Sequence, residues 1–125
     1  MPSAGRLWMP AAVWATIIFV LSSIPARAFP ATNLLSYDKV IHALVYSVLG
    51  VLSFVAIHRT WPLKTIWAVV IAAMAALVYG LTDEFHQRFV PGRVAAWDDV
   101  IADGIGGLLG AALGAMLPLA KPRRA

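Results

Sequence analysis

The sequence predicts an all-α membrane protein in which four transmembrane helices form one compact bundle. Of its 125 residues, 61% are hydrophobic and only 13% are charged. A soluble domain of this size needs more charge than that to cover its surface. The uncharged residues also occur in runs long enough to cross the hydrocarbon core of a bilayer, which takes about 20 residues. We therefore expect a single membrane domain over residues 1–125.

The predicted spans lie between charged residues and cover approximately residues 7–24, 40–57, 65–83 and 99–119. Apolar residues surround each span on all sides, as is typical of helices in lipid. Aromatic residues lie near both sets of predicted helix ends, as in interfacial belts. These are Trp8, Trp61 and Trp67 at one set of ends, and Tyr37 and Trp97 at the other.

The first span has an alternative interpretation as a cleaved signal peptide. Arg6, the apolar run and Ala26-Arg27-Ala28 imitate a charged start, a hydrophobic segment and a small-residue cleavage site. The apolar run is longer than the usual hydrophobic segment, and prolines flank the supposed site. We expect the span to be retained, and mass spectrometry of the purified amino terminus tests this.

The distribution of cations predicts the orientation. The amino terminus, the loop between spans two and three and the carboxyl terminus hold no acid, and they hold six cations: Arg6, Arg59, Lys64, Lys121, Arg123 and Arg124. The other two loops hold four cations and all six acids. Because positive residues favour the inside, we expect both termini in the cytoplasm and the acidic loops at the extracytoplasmic face of the cell membrane. The scattered cations form no basic face, so we expect no nucleic-acid partner.

Polar residues gather where three predicted helix ends meet at that outer face. Asp38, His42 and Tyr46 are spaced four apart, so they line one face of a helix, and Asp99 shares a face with Asp103. Burying such groups near hydrocarbon is costly unless they pair with each other, a metal or a ligand. The predicted catalytic candidates are Asp38, His42 and Glu84, and the predicted ligand-binding residues are Asp83, His86, Gln87, Arg93, Asp99 and Asp103.

Structural roles compete with these functional ones. Asp98 is predicted to cap the fourth span and Asp38 the second, each stabilising its helix by about 1 kcal/mol. Capping does not account for an imidazole one turn deeper, at His42. His86 is equally compatible with an interfacial anchor.

Val90-Pro91-Gly92-Arg93 is predicted to form a tight turn, because proline presets one central angle and glycine accepts a positive one. The turn would hold Arg93 in place for an anionic group or for one of the nearby acids. Gly106, Gly110 and Gly114 form a small-residue stripe that lets another helix approach closely. The stripe predicts packing within the monomer or between copies in a homo-oligomer.

Together these segments resemble the VanZ-like family of small bacterial membrane proteins. The matching segments are Leu21–Pro25, Asp38–His42 with Tyr46, Tyr79–Arg93, and Trp97–Asp103 with Gly106 and Gly110 behind it. The resemblance implies a four-helix membrane protein linked to resistance against glycopeptide antibiotics, notably teicoplanin. Those antibiotics act on cell-wall precursors outside the membrane, in agreement with an outward-facing polar cluster. The resemblance carries no reaction with it.

Three functions follow as hypotheses. The first is a cell-envelope protein that binds membrane lipid, such as a lipid-linked cell-wall precursor or an anionic headgroup, through the polar cluster. The second is a membrane enzyme that uses acid–base groups or a divalent metal; the chain has no cysteine, so thiolate chemistry is excluded. The third is a transporter, which would need ionisable residues at mid-membrane depth. Whether the protein is an enzyme, and which metal it would use, stay open at this stage.

Overall fold

The computed structural model describes residues 2–28 and 38–119, and they form four α-helices without a strand. The helices are α1 (Ala4–Ser22), α2 (Asp38–Thr60), α3 (Thr65–Gln87) and α4 (Trp97–Ala115), with a short 3-10 turn, Ala26–Ala28, after α1. The prediction of an all-α fold with four helices is confirmed. Tyr37 and the carboxyl-terminal cations used in the orientation argument lie outside the described residues.

The centre of the bundle is the contact between α2 and α4, with α3 packed against both and α1 attached mainly to α2. Glycines make this contact close. A methyl group on Gly106 would overlap the carbonyl oxygen of Ala43, and one on Gly110 would overlap the carbonyl oxygen of Ser47. The predicted stripe therefore packs within the monomer, and association between copies stays a prediction.

Helix α1 is tied into the bundle by polar contacts as well as by packing. The indole N–H of Trp14 donates a hydrogen bond to the carbonyl oxygen of Val45, at 2.9 Å, and the hydroxyl of Tyr79 donates to that of Ala15. Ile18 is 4% exposed in a core cluster with residues of α2 and α3. This helix is therefore a packed part of the domain.

The outer surface of the helices is apolar. Leu108, Leu109 and Leu113 of α4 are each more than half exposed, and exposed hydrophobic residues also cover the other three helices. Helices α1, α2 and α3 are long and apolar enough to cross a membrane. Helix α4 has a similar outer face but carries three aspartates near its start.

The end of the bundle away from the acidic residues is closed by aromatic contacts. Trp8 and Trp61 pack edge to face with ring centroids 5.7 Å apart. His58 is 6% exposed and stacks on Phe54. No functional role was predicted for His58, and its surroundings suit a packed core residue.

Candidate ligand-binding site

The four helix ends predicted to share one face of the membrane lie together. The Ser23 hydroxyl, just after α1, is 2.9 Å from Nε2 of His86 near the end of α3. Lys39 Nζ at the start of α2 is 3.6 Å from Asp98 Oδ2 at the start of α4. The prediction that the acid-rich ends converge is therefore confirmed by the geometry.

His42 is the centre of the polar cluster. Its Nδ1 is 2.7 Å from Oδ1 of Asp103, and its Nε2 is 3.6 Å from Oδ1 of Asp38. The rings of His42 and Tyr46 stack nearly parallel, with an interplanar angle of 7°. The predicted spacing of Asp38, His42 and Tyr46 thus does place the three on one helix face, one turn apart.

Asp103 is fully buried because α3 has a glycine opposite it. A methyl group on Gly80 would lie 2.8 Å from Oδ2 of Asp103. Only a residue without a side chain allows the carboxylate to lie between α2 and α3 and to reach His42. Gly80 was not predicted to have this role, because nothing in the local sequence indicates which helix faces it.

The end of α3 directs its polar side chains to three different helices. Asp83 accepts a 3.2 Å hydrogen bond from the hydroxyl of Tyr46 on α2. Glu84 Oε2 accepts a 2.9 Å hydrogen bond from the backbone N–H of Ala96, just before α4. His86 stacks on Phe19 of α1. The cluster therefore brings together Asp83 and Glu84, whereas His86 is oriented toward α1.

The start of α4 corrects the predicted capping role of Asp98. The N-cap position is Ala96, without a capping side chain, and Asp98 lies exposed in the first turn. The N–H of Ala96 bonds to Glu84 instead, a partner from another helix that local sequence cannot reveal. Similarly, Asp38 lies in the first turn of α2 and faces His42.

Three carboxylate oxygens in this cluster are buried and have no hydrogen-bond partner in the part of the chain that the structure describes. They belong to three different helix positions: Glu84 Oε1, Asp99 Oδ1 and Asp103 Oδ2. The three residues are 5%, 3% and 0% exposed. An unpaired buried acceptor costs about 1–3 kcal/mol, and more when it is charged. Such a concentration at one place indicates a site that a donor or a cation completes.

Two groups of side chains could hold a metal ion, and both include His42. In one group, ligand atoms of Asp38, His42 and Asp99 lie within 4.8 Å of one another. In the other, those of His42, Glu84 and Asp103 do so. Neither group includes Asp83 or His86, which were considered as metal ligands from the sequence.

A cavity of about 230 Å³ opens beside Glu84, between the end of α3 and the start of α4. Its walls are mostly apolar, with Phe85 and Trp97 on the outer side. The charged groups in the wall are Glu84 and Arg88. Arg88 was not among the predicted site residues; only its position after the acidic cluster could have indicated it.

The predicted turn before α4 is confirmed. The N–H of Arg93 donates to the carbonyl oxygen of Val90 at 3.1 Å, and Gly92 has a φ of 75°. Arg93 is partly buried, and it belongs neither to the cavity wall nor to the two possible metal groups. Gln87 is 3% exposed at the end of α3, beyond both groups. The ligand-binding roles of these two residues stay predictions.

Residues 7–118 match the family model for VanZ/LLP1 proteins, which includes all the residues of the polar cluster. The chain belongs to the VanZ-like family. Neither the curated proteins nor the solved structures contain a significant match to it. The family match begins within α1, so the domain of this VanZ-like protein includes the helix that imitates a signal peptide.

In this VanZ-like protein the segment Tyr79–Arg93, which carries much of the resemblance seen in the sequence, forms the end of α3 and the turn that follows it. Its residues supply Gly80 opposite Asp103, the carboxylate of Glu84 and two walls of the cavity. The family segment is thus the part of the chain that builds the candidate site.

Proposed function

We propose that this VanZ-like protein binds the headgroup of an envelope lipid in the cavity between α3 and α4. The observation that carries the proposal is Glu84, whose Oε1 is buried without a partner while Oε2 is fixed by the N–H of Ala96. A carboxylate oriented in this way accepts a hydrogen bond from a ligand with little loss of side-chain entropy.

The composition of the cavity wall supports an amphiphilic ligand. Arg88 offers a guanidinium suited to a phosphate, and Glu84 offers an acceptor suited to a hydroxyl or amino group. The volume of about 230 Å³ is below the roughly 300 Å³ at which small-molecule pockets begin. It therefore suits a headgroup, with the acyl or prenyl chains left against the exposed rings of Phe85 and Trp97.

The arrangement in the membrane is part of the proposal. We infer that α4 crosses the bilayer together with α1, α2 and α3, and that the polar cluster faces outward. The apolar outer face of α4 supports the fourth crossing, since its leucines would otherwise be exposed to water. In this orientation the cavity is accessible to lipid-linked cell-wall precursors, and teicoplanin susceptibility of cells that express the protein tests the resistance implied by the family.

An enzymatic function is a second candidate, and one observation favours it. Asp103 is within hydrogen-bonding distance of Nδ1 of His42, which would orient the imidazole and leave Nε2 available as a general base. A hydrolysed lipid product in the presence of wild-type protein, and its absence with His42→Gln, would support this candidate.

Native mass spectrometry of the protein in detergent tests headgroup binding. The protein is titrated separately with polyprenyl diphosphate, phosphatidylglycerol and phosphatidylethanolamine, so the arms distinguish lipid-linked precursors from bulk lipids. We expect Glu84→Gln to weaken binding of the preferred lipid by about 10- to 100-fold, the equivalent of one charge-assisted hydrogen bond.

Asp98→Asn is the matched control, because it makes the same change at an exposed carboxylate of the same region. Arg88→Ala and Arg93→Ala compare the guanidinium of the cavity wall with the one predicted from the sequence. Equal binding by Glu84→Gln and Asp98→Asn, or no preference of the wild-type protein among the three lipids, would contradict the proposal.

A further inference from the structure

The acidic character of the cluster opposes the binding of an anionic headgroup. Asp38, Asp99 and Asp103 surround a single imidazole, and Glu84 lies beside the cavity. The nearest cation on the same helix end, Lys39, has its ammonium 3.9 Å from Asp99 Oδ1, which is too long for a hydrogen bond. Additional positive charge would relieve both the repulsion and the unpaired oxygens.

We propose that Asp38, His42 and Asp99 bind a divalent transition-metal cation. Their ligand atoms lie within 4.8 Å of one another, on the first turns of α2 and α4. The independent observation is Asp99: its side chain is 5% exposed, and its Oδ1 is buried without a hydrogen-bond partner among the described residues. A cation is the partner that such an oxygen favours.

The hydrogen bond of His42 decides between the two possible metal groups. Nδ1 is 2.7 Å from Asp103 Oδ1, so it is engaged, whereas Nε2 faces Asp38. Histidines that bind metals through one ring nitrogen commonly donate the other N–H to a carboxylate, which fixes the ring and raises its basicity. This places Asp103 behind the ligand and favours the group formed with Asp38 and Asp99.

The distances fit a small cation after a modest movement of side chains. Two ligands bound to one zinc ion at about 2.0–2.2 Å cannot be more than about 4.4 Å apart. His42 Nε2 and Asp38 Oδ1, at 3.6 Å, already satisfy this limit. Asp38 is 44% exposed and can move to close the group, while Lys39 can pair with Asp98 alone.

The ligand types indicate the class of metal. One imidazole nitrogen with two carboxylates suits Zn²⁺ or Mn²⁺, whereas Ca²⁺ and Mg²⁺ prefer oxygen ligands alone. Three protein ligands leave coordination positions open. A phosphate oxygen of a headgroup fits such a position, and this bridging role of the cation rests on the proposed function.

Metal binding is tested on the full-length protein in detergent, with any affinity tag removed and the protein treated with a chelator. Titration with Zn²⁺ or Mn²⁺, followed by elemental analysis, is expected to give one cation per chain. Asp99→Asn and His42→Gln are expected to abolish this binding. Asp103→Asn, which alters only the residue behind the imidazole, is expected to weaken it about 10- to 100-fold.

Matched controls separate this site from adventitious binding. Asp98→Asn changes the neighbouring exposed carboxylate, and His86→Gln changes a histidine that faces α1. Both are expected to bind as the wild type does. Pulsed electron paramagnetic resonance of bound Mn²⁺ adds a direct readout: coupling to a histidine nitrogen is expected in the wild type and in both controls.

Two results would overturn the inference. One is a folded wild-type protein, judged by circular dichroism, that binds no stoichiometric cation; the other is Asp99→Asn binding the cation as tightly as wild type. If the cation binds but no lipid does, the metal site stands and the proposed function fails. If lipid binds equally well with and without the cation, the bridging role is refuted and the headgroup proposal stands.

Discussion

At the scale of single residues, the cluster contains more negative charge than the stability of the fold requires. Asp99 and Asp103 are almost completely buried, and each has one oxygen without a partner among the described residues. Side chains at functional sites are commonly retained at a cost in stability, because the same groups that weaken the free protein bind its ligand. Stability and ligand binding should therefore respond in opposite directions to substitutions here.

Asp99→Asn is expected to stabilise the ligand-free, metal-free protein by about 0.5–2 kcal/mol, because a neutral amide replaces a buried carboxylate of the same shape. Thermal unfolding in detergent, followed by circular dichroism, measures the change. Asp98→Asn should change the stability by no more than about 0.5 kcal/mol, since Asp98 is exposed. A lower unfolding temperature for Asp99→Asn than for Asp98→Asn would show that the buried carboxylate has a structural partner.

Tyr46→Phe is expected to have the opposite effect and to destabilise the protein by about 1–3 kcal/mol. The substitution removes the hydroxyl that donates to Asp83 and leaves a buried carboxylate oxygen unpaired. Thr82→Ala is the control, because its hydroxyl is exposed and bonds only to its own helix. Equal unfolding temperatures for Tyr46→Phe and Thr82→Ala would contradict the importance of this hydrogen bond.

At the scale of the helices, the sequence predicts faces well and partners poorly. The spacing of Asp38 and His42, and of Asp99 and Asp103, was sufficient to place each pair on one face, because an α-helix has a fixed period. The directions taken by Glu84 and His86 depend on which helices flank the end of α3. That choice is made by packing between helices, such as the close contact at Gly110, which a local pattern does not encode.

Gly110→Ala is expected to destabilise the bundle by at least about 1–3 kcal/mol, because the added methyl group would overlap the carbonyl oxygen of Ser47 and force α2 and α4 apart. Unfolding in detergent measures the loss. Gly5→Ala is the matched control: it is also a helical glycine, and nothing lies within 4 Å of the added methyl group. A bundle equally stable with either alanine would contradict the close contact between α2 and α4.

At the scale of the whole molecule, antiparallel helices joined by loops bring the acid-rich ends together. This convergence followed from the sequence, since alternate loops of a bundle lie on the same side. The number of crossings did not follow as directly, because the aspartates at the start of α4 shorten its apolar part. Orientation depends on cations that are few and partly outside the described residues.

Single cysteines introduced into this cysteine-free chain test the number of crossings and the orientation. In intact cells, a membrane-impermeant maleimide is expected to label Val94→Cys, before α4, but not Met116→Cys, after it, nor Pro62→Cys between α2 and α3. Both Val94 and Met116 are 80% exposed, so access to the side chain does not limit labelling. Labelling of both Val94→Cys and Met116→Cys would mean that α4 does not cross the membrane.

The central claim is that buried carboxylates around His42 form a site which a ligand completes at the membrane boundary. An experimental structure of the protein purified with its native lipid tests this most directly. The account predicts a bound cation or polar headgroup in contact with Asp99 Oδ1 or Glu84 Oε1, beside His42. Carboxylates paired only with other protein groups, next to a cavity filled by the protein's own side chains, would contradict it.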